Sequence, residues 1–149
     1  MAYDEFNPIH AFKTDWITYK IDETGINYLD EFGLFLCDKK AEADRTGNNA
    51  ITTSQLRNVF GEIKRIEMKA GDSEDVWEKD CKQSFLLLRP KIAYNAARVL
   101  SKSRNSKMKE LKQVLDMAHK QVKTLSSFKN FSHFFEAILA YHKAYGGRD

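Results

Sequence analysis

Nearly every long apolar stretch of this chain repeats at the period of an α-helix, and that property excludes most folds. Glycine and proline number only seven and two in 149 residues. No Asn-Gly or Asp-Gly pair joins two alternating apolar runs, so the signals of a β-hairpin are missing. The implied fold class is all-α: a compact single-domain bundle of five or six helices, with no sheet beyond two short strands. The length suffices to bury a core without disulfide staples. Residues 1–25 read differently, as an irregular N-terminal arm docked through Trp16, and residues 26–149 read as the helical domain.

The helices can be placed from their apolar stripes and their end signals. The first runs from about Ile26 to Ala43, with Ile26, Leu29, Phe32, Phe35 and Leu36 inward. A loop rich in Gly and Asn, Ala43 to Ile51, follows. Thr52 and Gln55 have the spacing of a capping box, in which each side chain bonds the other's backbone N–H. The helix they open points Leu56, Val59, Phe60, Ile63 and Glu67 one way and should end near Ala70 to Ser73. Ser73 then opens the next, where Val76, Trp77, Cys81, Phe85 and Leu88 lead one stripe into Pro90. Proline lacks an N–H, so a kink or break is expected near Leu87 to Arg89. The stripe keeps its phase through Ile92, Ala96 and Val99, which favours a kink. After a basic turn, Ser101 to Lys107, a helix from about Ser106 to Leu125 buries Met108, Leu111, Leu115, Ala118, Val122 and Leu125. Its lysines, Lys109, Lys112, Lys120 and Lys123, lie opposite. The last helix, about Ser132 to Tyr145, sets Phe131, Phe134, Phe135, Ile138, His142 and Tyr145 on one arc and His133, Ala137, Ala140 and Ala144 on the other. Small residues there suggest burial on two sides, and Gly146-Gly147 ends the helix.

Charge is unevenly distributed. The net charge is +3, but residues 1–50 carry −5, residues 51–100 carry +2 and residues 101–149 carry +6. Such a chain can bind a polyanion with one part, or stack head to tail with copies of itself. No apolar run approaches the ~20 residues that span a bilayer. The first ten residues lack the basic and apolar regions of a secretory signal. Cys37 and Cys81 read as two free, buried thiols of a cytoplasmic protein.

Catalytic and metal-binding patterns are missing. There is no CxxC, HxxxH or HExxH, no glycine loop that opens a helix onto a phosphate, and no paired carboxylates, so neither metal nor cofactor is expected. His119 beside Lys120 could imitate the pair of a metal-independent ribonuclease, and His142, on an apolar face, reads as a core histidine. The feature that remains is basic. Arg57, Lys64 and Arg65 lie off the core on one helix. Lys91, Arg98 and Lys102, with Asn95 between, form a stripe along another. Side by side, these helices could line one groove for the phosphates of a polyanion. Tyr94 flanks the basic stripe instead of the apolar one, placed to stack on a base.

Three blocks in order, TTSQLR (Thr52 to Arg57), RPKIAYNAAR (Arg89 to Arg98) and FFEAILAYHKAYGG (Phe134 to Gly147), resemble the small subunit of type III-A CRISPR–Cas effector complexes, the Csm complexes. The resemblance spans most of residues 51–149 and is poor over residues 1–25. It implies an all-helical, non-catalytic protein that stacks with copies of itself and with other type III-A Csm subunits. It also implies contact with CRISPR RNA and target RNA through basic residues, without reading sequence, and its basic positions fall on Arg57, Lys91 and Arg98. Two other readings stand beside it: a protein–protein scaffold without RNA contact, and a metal-independent ribonuclease using His119 or His142.

Overall fold

The computed structural model describes residues 6–37 and 50–147. Within them the regular structure is helical throughout. Two short helices come first, α1 (Pro8–Ala11) and α2 (Asp15–Thr18), and then α3 (Glu23–Cys37). After the segment 38–49, which lies outside the described residues, come α4 (Thr53–Ala70), α5 (Glu74–Val76), a π-helical turn (Trp77–Cys81) and α6 (Lys82–Lys102). The chain closes with α7 (Met108–Lys120) and α8 (Leu125–Ala144). Five helices, α3, α4, α6, α7 and α8, have 13 residues or more, in line with the expected bundle.

Residues 6–25 carry the two short helices α1 and α2. Asn7 caps α1 by accepting from the Ile9 and His10 amides, and Pro8 sits where its missing N–H costs nothing. Trp16 and Ile17 are buried in the common core, as the docking of Trp16 required. Phe12, Trp16, Tyr28 and Phe134 form an aromatic cluster with ring centroids 4.8–6.4 Å apart. The Tyr28 hydroxyl donates to the Pro8 carbonyl at 2.7 Å, tying α1 to α3.

Helix α8 is the central element, packed on α2, α3 and α4. Its wide arc, Phe128, Phe131, Phe134, Phe135, Ile138 and His142, is buried. On the opposite face His133, Ala140 and Ala144 are exposed and Ala137 is half-buried against the core. The close approach expected of those alanines is made from α3 instead. A Cβ on Gly33 would lie 2.5 Å from the Tyr141 Cβ and 2.9 Å from the His142 backbone nitrogen. The same face of α3 sends Asp30 to the Tyr145 hydroxyl and the Cys37 thiol to the His142 carbonyl, the latter at 3.4 Å. Ile26, expected inward, is 39% exposed, because α3 turns Gly25, Tyr28, Leu29, Phe32, Gly33 and Leu36 to the core.

The capping box at Thr52 and Gln55 is formed, with Gln55 N–H donating to the Thr52 hydroxyl at 3.1 Å and Thr52 N–H to the Gln55 side chain at 2.9 Å. Gly71, at φ +54°, ends α4 in a conformation that costs glycine least. Ser73 opens α5 as expected, accepting from the Val76 amide. Helix α6 is continuous through Pro90. Pro90 cannot donate to the Leu86 carbonyl, and Leu86 is exposed, so water can serve that group. Among the described residues two boundaries differ from the sequence reading by more than three residues, and the helix end expected at Ala43 lies outside them. Helix α7 ends at Lys120, and α8 begins at Leu125 where Ser132 was expected. Thr124 starts α8 through a reciprocal cap with Ser127, a serine in the place where Glu or Gln is usual. Cys37 and Cys81 are both buried.

Candidate functional site

Helices α4 and α6 lie side by side and antiparallel, with an open groove between them. At one end it is lined by Gln55 and Asn58 of α4 and by Asn95, Arg98 and Lys102 of α6, around a cavity of about 270 Å³. The middle, about 480 Å³, lies between Asn58 and Glu62 on one side and Pro90, Lys91, Tyr94 and Asn95 on the other. At the far end Arg65 and Lys69 face Asp80, Ser84, Leu87 and Lys91 across about 230 Å³. From Gln55 to Lys69 the groove follows α4 for roughly 20 Å.

Helical spacing explains the lining. Asn58, Glu62, Arg65 and Lys69 recur at three- and four-residue steps along α4, beside its buried stripe of Val59, Ile63, Ile66 and Ala70. Lys91, Asn95, Arg98 and Lys102 do the same on α6 beside Leu88, Ile92 and Ala96. Five cations, Arg65, Lys69, Lys91, Arg98 and Lys102, therefore border the groove against two carboxylates, Glu62 and Asp80. Glu62 is the local counter-charge: it takes Arg65 at 2.9 Å and Lys91 at 3.7 Å, across the groove. The Arg98 guanidinium lies over the Tyr94 ring, 5.9 Å from its centroid.

Of the six basic residues singled out from the sequence, Arg65, Lys91, Arg98 and Lys102 border the groove. Arg57 does not line it. It is exposed on the outer ridge of α4, roughly a third of a turn from the groove line. Lys64 stands on the other flank, where its ammonium bonds Glu67 at 3.0 Å and reaches Glu136 of α8 at 3.5 Å. The Glu67 bond raises the lysine's pKa above its ordinary value. Burial pushes the Glu67 carboxyl up, but bonds from Ser132 and Lys64 outweigh it and leave that pKa lowered. Lys64 is thus part of the α4–α8 seam. Its place on the wheel shows that it avoids the core, but not which neighbour it meets. Lys69 and Asn58 line the groove without standing out in the sequence, and Gln55 stands out there only as the cap partner of Thr52. The four-residue steps from Asn58 to Glu62 and from Arg65 to Lys69 are the available signal.

Both histidines weighed for catalysis are buried, His119 at 1% and His142 at 0% exposure. His119 Nε2 donates to the Phe85 carbonyl at 2.6 Å, and Arg89 donates to its Nδ1 at 3.0 Å. Those partners require the neutral imidazole with its proton on Nε2. The ring stacks on Phe85 with centroids 3.8 Å apart. Burial lowers its pKa, with Arg89 adding to the effect. His142 Nε2 lies 2.7 Å from the Ile51 carbonyl, the core role that its apolar face suggested.

Among the described residues no helix is long and apolar enough to cross a membrane. A family model, Csm2 Type III-A, matches residues 36–148. A curated relative from Streptococcus thermophilus, "CRISPR system Cms protein Csm2", is 30% identical over 128 residues, which covers 85% of this chain and 97% of the relative. No solved structure matches. The matched span takes in α4, α6, α7 and α8, the groove, and all three blocks that carried the resemblance, and the chain belongs to the Csm2 family, the small subunits of type III-A CRISPR–Cas complexes.

Proposed function

We propose that this small subunit is a non-catalytic, cytoplasmic RNA-binding component of the complex. It holds the backbone of guide or target RNA in the α4–α6 groove without reading sequence. It stacks with copies of itself and with neighbouring Csm subunits. The observation that carries the reading is the alignment of Arg65, Lys69, Lys91, Arg98 and Lys102 along one open trough. Cations in a row suit phosphates in a row, and phosphate contacts supply affinity and position but no sequence information. The uneven charge of the chain, acidic at its start and basic at its end, favours stacking between copies. Against the nuclease reading, each candidate imidazole is sealed in the core and already bonded to a backbone carbonyl.

The test is Arg98→Glu with Lys102→Glu, measured by fluorescence anisotropy on two single-stranded RNAs of unrelated sequence. Both affinities should fall alike, and the slope of log affinity against log salt should shrink by about 1.4 for two lost phosphate contacts. Reversal of Lys112 and Lys120 on α7 should matter less. A scaffold without RNA contact is the second reading, favoured by Met68, Leu86 and Leu87, which are apolar and 82%, 54% and 52% exposed. It takes the lead if the reversed groove binds RNA as the unmodified protein does.

A further inference from the structure

The middle of the groove has features that phosphate binding does not use. Tyr94 is 66% exposed, although a ring of that size would be more stable against the core. Arg98, one turn on, lies over the ring and restrains it. Pro90, one turn back, is exposed and lines the same stretch, so the floor beside Tyr94 is a rigid apolar surface. Asn58 and Asn95 face each other from α4 and α6, and both border the two adjoining stretches. Neither amide is engaged by another side chain among the described residues. Each offers a donor and an acceptor, a set that can pair with the edge of any base. The cavity of about 480 Å³ lies within the ~300–1,000 Å³ of small-ligand clefts.

We propose that this stretch is a subsite for one unstacked nucleobase of a single-stranded RNA, with Tyr94 as the stacking platform, Arg98 fixing the ring, and Asn58 and Asn95 holding the base edge. The proposal rests on the RNA-binding reading and adds to it a contact that is independent of salt. Every base has a π-face, so the platform is compatible with binding that ignores sequence. The phosphates flanking the stacked base fall to Lys91 on one side and to Arg98 and Lys102 on the other, which is their order along α6.

The experiment compares a labelled single-stranded RNA with an abasic strand carrying the same number of phosphates, on the whole chain, by anisotropy. The unmodified protein and Tyr94→Phe should prefer the base-bearing strand by roughly 5- to 150-fold, the ~1–3 kcal/mol of one stacked base. Tyr94→Leu keeps apolar bulk but has no π-face. It should lose that preference and keep the salt slope. Since Tyr94 is exposed, circular dichroism should show unchanged helicity in both variants. Equal binding of the two strands by the unmodified protein, or a preference that survives Tyr94→Leu, overturns the platform and leaves the phosphate groove standing. If neither strand binds at low salt, groove and platform fall together.

Discussion

Two glycines in the middle of helices should respond in opposite directions to the same substitution. Gly61, in α4, has nothing within 4 Å of where a Cβ would go. Alanine there should stabilise the protein by roughly 0.5–1 kcal/mol, the helix propensity that glycine forgoes. Gly33, in α3, meets α8. Its Cβ would stand 2.5 Å from the Tyr141 Cβ and 2.9 Å from the Tyr141 carbonyl carbon and the His142 nitrogen. Those atoms belong to backbone or are fixed to it, so no rotamer change relieves the overlap. Carbon atoms settle at about 3.5–4.0 Å, so the helices must part by roughly 1 Å. Overpacking of that kind costs about 1–3 kcal/mol, less the same propensity gain. Gly33→Ala should therefore be destabilising by up to about 2 kcal/mol, and more if separation weakens the Cys37 and Asp30 bonds to α8. Urea unfolding followed by circular dichroism reads both variants, with opposite shifts of midpoint and similar slopes. In a chain of this length 1 kcal/mol moves Tm by roughly 2–4 °C. A Gly33→Ala protein as stable as Gly61→Ala would refute the close crossing of α3 and α8.

Two further predictions concern charge. Glu62 holds Arg65 and Lys91, so a phosphate entering the groove competes with a carboxylate already there. Exposed pairs are worth about 0.2–1 kcal/mol each, so Glu62→Gln should tighten RNA binding roughly 2- to 30-fold at low salt, with a smaller gain at high salt; unchanged or weaker binding would place the strand elsewhere. His119 faces Arg89, Asp116 and Lys123, and its pKa in the fold lies below its ordinary value, mainly through burial. The fold therefore prefers the neutral ring: that stability is fully present above the unfolded value of about 6.5 and is lost as pH falls from there through the folded pKa. Between pH 7.5 and 5 the unmodified protein should lose stability faster than His119→Gln, by at most about 1.4 kcal/mol per pH unit for one proton; parallel loss in urea titrations would remove His119 from the acid response.

The residues of the groove are partly legible in the order of amino acids. The stripe Lys91, Asn95, Arg98 and Lys102 follows from helical spacing alone, and so does its separation from Ile92 and Ala96. Helical spacing also keeps Arg57, Lys64 and Arg65 off the core. It does not separate Arg65, which borders the groove, from Lys64, which bonds Glu67 and Glu136. A wheel states an angle about one axis, and the partner at that angle is set by how a second helix crosses. The start of α8 escapes a sequence reading for a local reason: the Thr124 cap uses Ser127, which lacks the reach that makes Gln55 a recognisable partner of Thr52.

What the sequence determined by itself was the local physics: helical period, the cap at Thr52, the stop at Gly71, the core identity of His142, and the solvated basic stripe of α6. These depend on neighbours within a turn or two along the chain. Tertiary structure decided what depends on distance through space. It set Gly33 of α3 tightly against α8 and left Ala140 and Ala144 exposed. It buried Trp16 among the rings of Phe12 and Tyr28, joining the N-terminal segment to the core. It laid α4 antiparallel to α6, so that Arg65 and Lys91 share Glu62 and the amides of Asn58 and Asn95 face one another. Crossing and pairing of helices follow from the packing of whole side-chain surfaces, a sum over many residues distant in sequence, and no single stretch of chain contains it.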